Sequence, residues 1–340
     1  MRRSLPMLEE AKRTDVPVPE RRLFSLITLG FELPTLEMHM RLLESHVTKF
    51  LVTEATTTFH AVNEGRLAPN KHPLLTLALA NASWPAHLAS KTRVTVLHAL
   101  EVKARCTKEW PGHSMSRPGG CYEAMHRFVL LEMLLATARD EDMALLGDVD
   151  EIASPDVLRH LTMCAPFSAT SFTYYVLNAH QVYYGVHCWG PSTWVNGPHL
   201  FLTAQLRAER LSPKRLLGTR GQTYFQPNVI KAAWHFTSLG SAADFRRKLT
   251  SWGHADMFLE KDHPGSLDEA RLERCMRYCL SPMGEGPQGK PAPPCNSRES
   301  ALDKKLTGQL LTTRTIANGF YPSHILHRKE RYSFLFQHLV

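Results

Sequence analysis

The chain has 340 residues, 43% of them hydrophobic, and a formal net charge of +8 from 40 Lys and Arg against 32 Asp and Glu. That length and apolar share indicate a globular protein of one large or two small domains and exclude a largely disordered chain. The positive charge comes without a basic run interleaved with aromatics, so it reads as a solvated face able to serve an acidic small substrate, and no nucleic-acid partner is expected.

In chain order, residues 1–22 are polar, charged and proline-bearing; they read as a flexible arm without the apolar core of a signal peptide. Leu23 to Leu29 suits a buried strand, after which Leu36, Met40, Leu43 and Val47 recur at helical spacing. Phe50, Leu51 and Val52 form a second strand, and Arg93 to Leu97, with Val94 and Val96 alternating, a third. Tyr122 to Ala138 reads as a helix and Asp142 to Val149 as the next strand. Ser154-Pro155 supplies a helix cap with proline in the first turn, opening a helix through Leu161. This alternation predicts the α/β class, with a mostly parallel central sheet flanked by helices on both faces.

Beyond it, Ser171 to Tyr184 and Thr193 to Val195 are β-branched and aromatic and predict further, partly antiparallel strands. Residues Ser281 to Ser300, rich in Pro, Gly and Ser, read as a flexible insertion, and Ala301 to Val340 is expected to pack back onto the sheet. The longest apolar stretch, near Phe128 to Ala138, is interrupted by Glu132 and falls short of the roughly 20 residues a membrane helix needs, so no transmembrane segment is expected in this chain. Seven cysteines leave at least one thiol unpaired within the chain, and no spacing suits a structural zinc site. Cys275 and Cys279, one helical turn apart, read as two packed thiols, and the redox compartment stays open. One Asn-x-Ser triplet, Asn81-Ala82-Ser83, is present and by itself decides nothing.

The chemistry concentrates at Asp148-Val149-Asp150-Glu151, after the apolar run Met143-Ala144-Leu145-Leu146. Two carboxylates one residue apart at the mouth of a buried strand suit a hard divalent cation, although an acidic strand-to-helix turn is also an ordinary helix N-terminus. Downstream come Ala233-Trp234-His235-Phe236-Thr237-Ser238-Leu239-Gly240 and Lys248-Leu249-Thr250-Ser251-Trp252-Gly253-His254-Ala255-Asp256; between the two groups lies Trp189-Gly190-Pro191. In this order the segments resemble glycosyltransferase family 17, that of the β-1,4-mannosyl-glycoprotein N-acetylglucosaminyltransferase. The resemblance runs from about Leu23 to Phe258 and more faintly through Tyr321 to Phe336. Upstream it includes Glu54 to Phe59 and the Glu123 to Arg127 stretch.

The resemblance implies the GT-A nucleotide-diphospho-sugar transferase fold in one domain over residues 23–340, with a nucleotide-binding half to about residue 152 and an acceptor half after it. It also implies a metal-dependent inverting transfer, with GlcNAc from UDP-GlcNAc as the sugar, Mn²⁺ or Mg²⁺ as the cation, and a mannose-containing glycan or glycoprotein as acceptor. Asp150 is then the first choice for direct metal ligation, with Asp148 on the ribose or the cation and His254 completing the shell. Glu54, Arg127, Lys248 and His235 are candidates for holding the donor, and Trp189, read as part of a tight exposed turn, is the candidate for stacking. Competing readings are a surface i,i+4 pair for Glu123 and Arg127, a core histidine for His235 and a solvated lysine for Lys248. Asp256, where the family has a Glu, and Glu151 are the candidate bases; the shorter Asp is a departure from the pattern. Animal members of the family are held in the Golgi by an N-terminal membrane helix that this chain does not show, which leaves localisation open. A non-catalytic glycan- or nucleotide-binding protein on the same fold is the rival reading.

Overall fold

Alternating apolar side chains on the first strands sort themselves onto two faces, and each face recruits its own helices. The computed structural model describes residues 21–109, 118–164, 174–208, 228–251, 267–279, 309–310, 321 and 323–337. On β1 (Leu23–Thr28), Leu23 and Ile27 enter one core while Phe24 and Leu26 enter another. On β2 (Lys49–Ala55), Phe50 and Val52 oppose Leu51 and Ala55 in the same way. The first face is covered by α1 (Leu33–Leu43) through Leu36, Met40 and Leu43. Beyond α2 (Phe59–Asn63), α3 (Leu74–Ala80) and α4 (Ala86–Ala89) add Leu75 and Leu88 to the same core. After β3 (Thr92–Leu97), α5 (Ala99–Glu109) and α6 (Pro118–Leu135) cover the second face through Val102, Met125, Leu130 and Leu134. Each such fully buried aliphatic side chain contributes about 1.5–3 kcal/mol relative to exposure.

The strand β4 (Met143–Asp148) pairs with β1 on the side opposite β2, and β2 pairs with β3; all of these pairings are parallel. The chain therefore steps outward from β1 to β2 to β3 and then crosses back to β4. The strand order reverses between β1 and β4, and in open α/β sheets ligands bind beyond the carboxyl ends of the strands at such a point. Thr28 and Asp148 are register partners at that point.

The remainder of the sheet is different. Beyond β5 (Glu151–Ala153) and α7 (Pro155–Cys164), β6 (Tyr175–Tyr183) pairs antiparallel with β7 (Cys188–Trp194) and β8 (His199–Leu202). β8 also joins β4 antiparallel, which welds the two wings together. After α8 (Thr203–Ala208), β9 (Asn228–Thr237) runs parallel to β6 and antiparallel to β5. The sheet is thus mixed, parallel in the β3-β2-β1-β4 half and largely antiparallel beyond it. Helical crossovers in the first half enforce parallel strands, and short connections in the second permit antiparallel ones. β7 and β8 pair with successive stretches of β6, and the bend between them needs Gly197, where an added Cβ would lie 1.9 Å from the Leu177 carbonyl oxygen.

The helices α9 (Ala242–Ser251) and α10 (Glu269–Tyr278) enclose a third core containing Tyr184, Phe245, Leu272 and Met276. At the C-terminal end, β10 (Gln309–Leu310) adds to β7, and Tyr321 donates its hydroxyl to the Val186 carbonyl at 3.0 Å. Ile325 in α11 (Ser323–His327) and Leu335 in the 3-10 turn Ser333–Leu335 enter the first core; of the piece 301–340 expected to pack back, residues 301–308, 311–320, 322 and 338–340 lie outside the described residues. The segment 281–300, expected to be a flexible insertion, lies outside the described residues. Among the described residues no helix is long and apolar enough to cross a membrane.

Two expectations change. Cys275 and Cys279 are not packed thiols: Cys188 is bridged to Cys279, Cys106 to Cys121, and Cys275 is disulfide-bonded as well. Spacing within one helix could not show this, because the partner of Cys279 lies on a strand 91 residues away. The folded unit also begins earlier than residue 23. Arg22 binds the fully buried Asp142 through Nε, at 3.1 and 3.2 Å from its two oxygens, and its carbonyl accepts from Met143 N at 2.9 Å. The pairing holds the Asp142 carboxyl below the usual carboxylate range against the opposing effect of burial. Arg22→Ala should therefore destabilise the protein by about 3 kcal/mol, since a buried carboxylate loses its main partner. Urea unfolding checks this, and an unchanged midpoint would place Arg22 with the arm.

Candidate active site at the β1/β4 crevice

The same alternation that sorts the core decides which way each acid points. Asp148 falls in phase with Ala144 and Leu146, on the face covered by α6. There it accepts from Arg127 Nη2 at 2.8 Å and, across the crevice, from the Thr28 hydroxyl at 3.0 Å. Arg127 also donates to Glu123 at 2.8 Å and is only 5% exposed. Burial works against its charge, but Asp148 and Glu123 outweigh that and hold its pKa above the ordinary value. The Glu123–Arg127 pair is thus an i,i+4 pair with an exposed Glu123 and a buried Arg127 that reaches the acidic strand end.

Glu54 lies out of phase with Thr53 and points to the opposite face. Its carboxylate accepts from Leu75 N at 2.8 Å, Thr76 N at 2.9 Å and the Thr76 hydroxyl at 2.9 Å. It therefore satisfies the N-terminal donors of α3, a structural task in place of the expected contact with the donor.

Asp150 stands on the other side of the turn. Lys248 Nζ, delivered by α9, lies 2.7 Å from its Oδ2 and 3.2 Å from Glu32 Oε1; His235 Nε2 is 3.8 Å from the same Oδ2. Oδ1 accepts no hydrogen bond from the described residues. Burial opposes the Lys248 charge, and Asp150 followed by Glu32 raise its pKa above the ordinary value. His235 reaches this position because β9 pairs with β5 in the register Glu151↔His235. Its ring packs against Trp194 with centroids 4.5 Å apart and planes tilted by 30°.

Glu151 is 1% exposed and fully engaged: Oε1 accepts from Trp194 Nε1 at 2.8 Å and Oε2 from the Asp148 backbone N–H at 3.1 Å. Gly147 makes room for this, since a Cβ there would approach Glu151 Oε2 to 3.3 Å. Glu151 is therefore a latch closing the Asp148–Glu151 turn, and its expected role as base is displaced by two hydrogen bonds that a proton acceptor would have to give up. Asp256 and His254 lie outside the described residues.

The expected stacking residue also changes. Trp189 lies in a strand, not in a tight turn; it pairs with Val182 and Gln309, and its ring meets His180 at 6.2 Å. The indole at the acids is Trp194. Thr28, Glu32 and Lys71 are not among the residues expected from the sequence. The first two immediately bracket the end of β1, where the strand-mouth rule points. Lys71 comes from an irregular segment without a motif, and its ammonium donates to the Gly30 carbonyl at 3.2 Å and lies 4.9 Å from the centre of the Phe31 ring.

Two buried histidines brace the crevice. His39, on α1, donates Nδ1–H to the Val149 carbonyl at 3.0 Å, which fixes its tautomer. His126, on α6, meets the Thr53 hydroxyl at 3.1 Å. Neither Nε2 finds a hydrogen-bond partner among the described residues. Burial lowers His39 to about 4, and burial reinforced by Lys71 and Arg127 lowers His126 to about 3. Both folded values lie below the unfolded one of about 6.5, so the stability they give is complete above that pH and is lost as pH falls toward the folded values. Between pH 7 and 5 the loss should be about 2 kcal/mol for each ring. Urea midpoints at the two pH values test this, and equal midpoints would contradict the buried neutral rings.

Among the described residues, the group of three His, Cys, Asp or Glu whose ligand atoms all lie within 4.8 Å of one another is not at the acids; it is His187, Cys188 and Cys279. Both sulfurs are committed to the disulfide and His187 Nε2 lies 3.1 Å from the Met276 carbonyl, so the oxidised cluster is a structural joint.

Comparison with family models finds no match for this chain, and comparison with curated proteins finds none either. The resemblance to glycosyltransferase family 17 rests on the residues quoted above.

Proposed function

We propose that the protein is an inverting, divalent-cation-dependent glycosyltransferase of GT-A type that takes a UDP-sugar, UDP-GlcNAc by resemblance, and a mannose-containing glycan acceptor. The observation that carries this reading is the set of side chains at the strand ends where β1 meets β4. There two carboxylates, Asp148 and Asp150, stand between positive groups on either side, with an aromatic ring at the same mouth.

The donor set suits a hard cation: the carboxylate oxygens of Asp150 and Asp148 would hold Mn²⁺ or Mg²⁺, with His235 beside them. When bound, such a cation supplies Lewis acidity to the leaving diphosphate. The chain's own residues do the rest. Arg127 fixes the orientation of Asp148, Lys248 brings a second positive charge to the Asp150 side, and Trp194, its indole N–H tied to Glu151, offers a sugar a ring of fixed orientation. In the transfer, the acceptor hydroxyl oxygen forms a bond to the anomeric carbon and gives up its proton to a carboxylate. The bond from that carbon to the diphosphate breaks, and UDP leaves. With Glu151 engaged as a latch, Asp256 is the remaining candidate base.

The 2.7 Å pairing of Lys248 with Asp150 also favours a second reading, a nucleotide- or glycan-binding protein in which the ammonium permanently occupies the acids and turnover is absent. A screen of sugar nucleotides for UDP release, with and without chelator, separates the two. Chelator-sensitive release and an inverted anomeric proton signal in the product support the transferase. UDP-sugar binding without release with any donor supports the binding protein.

A further inference from the structure

We propose that Asn81 carries an N-linked glycan, an inference that does not rest on the transferase reading. Asn81-Ala82-Ser83 is the chain's single Asn-x-Ser/Thr triplet, and its middle residue is not proline. Chance could place such a triplet in a strand or a core, where the modification would be incompatible with the fold. Here all three residues are exposed, in the turn that follows α3.

The turn is built to point them outward. Asn81 is the helix C-cap, its backbone N–H bonded to the Leu77 and Leu79 carbonyls. Ala82 adopts a left-handed φ of 51°, and the N–H groups of Ser83 and Trp84 both return to the Ala78 carbonyl. All the hydrogen bonds that shape the turn are made by backbone or by Ser83, and replacing a hydrogen on Asn81 Nδ2 disturbs none of them.

The helix α3 starts on the Glu54 carboxylate, at the same strand ends as the crevice, and its seven residues carry the chain about 10 Å away. A glycan at Asn81 therefore leaves the crevice open. The helix that Asn81 caps contacts β3, the last strand in the order of the sheet among the described residues, and Asn81 lies one helical turn from Leu77, which is 43% exposed. An exposed sheet edge and an exposed leucine are features that a bulky polar substituent shields from self-association.

The bridges Cys106–Cys121 and Cys188–Cys279, together with the disulfide-bonded Cys275, belong to an oxidising compartment. In eukaryotes that compartment is also where oligosaccharide is transferred from a lipid diphosphate to Asn-x-Ser/Thr. Asn81 Nδ2 forms the new bond to the anomeric carbon as the bond from that carbon to the lipid diphosphate breaks, and the amide gives up one proton to the transferring enzyme. The reaction belongs to the chain before the turn closes, because in the folded protein the Ser83 hydroxyl donates to the Ala78 carbonyl at 3.3 Å.

The test is the full chain directed into the secretory pathway of a eukaryotic host by a cleavable leader, recovered from secreted and retained fractions alike. Amide-cleaving glycosidase should produce a single mobility shift and convert Asn81 to Asp, read from the mass of its peptide. Asn81→Gln and Ser83→Ala should abolish the shift, and Ser83→Thr should keep it. Recovery of the Asn81 peptide unmodified from protein with an intact Cys188–Cys279 bridge would overturn the proposal. So would recovery of both cysteines as thiols, which would remove the shared compartment.

Discussion

Asp150→Asn should lower sugar transfer about a thousandfold and abolish cation-dependent UDP binding while the protein stays folded. The substitution keeps the shape of the side chain but removes the negative charge that a divalent cation requires. Charge stabilisation of a leaving diphosphate amounts to several kcal/mol, and each 1.36 kcal/mol is about a factor of ten in rate. The effect on stability should be small. An amide oxygen can still accept from Lys248, and the ammonium keeps its 3.2 Å pairing with Glu32 at a position with 28% side-chain exposure, where an ion pair contributes about 1 kcal/mol or less. Calorimetric titration of UDP with and without Mn²⁺, beside a thermal melt, reads both quantities. Wild-type binding by the variant would remove Asp150 from the cation site; a collapsed melting temperature would make it a structural residue.

Loss of the Cys188–Cys279 bridge should produce the largest change in stability. It closes a separation of 91 residues and ties the left-handed C-cap of α10 to the first residue of β7, inside the third core. Chain-entropy arguments give about 4–5 kcal/mol for a loop of this size and about 3 kcal/mol for the 15-residue separation of Cys106 and Cys121. The double variant Cys188→Ser, Cys279→Ser should therefore melt roughly 10 °C lower than the wild type, and a reducing agent should do at least as much to the unaltered protein. An unchanged melting temperature in the double variant would show that the third core holds together without its bridge. This matters beyond stability, because α9 in the same core delivers Lys248 to Asp150.

How much of this was legible in the sequence depends on how local each determinant is. Apolar alternation and helical spacing placed β1, β2, β3, β4, α1 and α6 to within a few residues, because a strand or helix face is written in its own segment, while the short helices between β2 and β3 and the helix after β3 were not read. The four parallel strands followed from that alternation of elements. The antiparallel wing followed only in outline, since nothing in Tyr175–Tyr183 says that β7, β8 and β9 all pair with it. Among the candidate site residues, Arg127 meets Asp148, and Lys248 and His235 meet Asp150 on the other side of the turn. Glu54 could not be separated from them by sequence, because its phase relative to Thr53 decides its face and its partners, Leu75 and Thr76, lie 21 and 22 residues on. Trp194 and Trp189 are equally aromatic in the sequence, and the register with β6 alone decides which belongs to the acids. Arg22 looked like the end of a charged arm because its partner Asp142 is 120 residues away.

The central claim is that a nucleoside diphosphate and a divalent cation meet at the β1/β4 crevice. Its most direct test is an anomalous difference map from crystals of the full chain soaked with UDP and Mn²⁺. A manganese peak is expected within direct coordination distance of Asp150, about 2.1 Å, on the side facing Asp148, with the diphosphate beside it. A manganese and diphosphate bound together elsewhere on the molecule, with Lys248 still seated on Asp150, would contradict it.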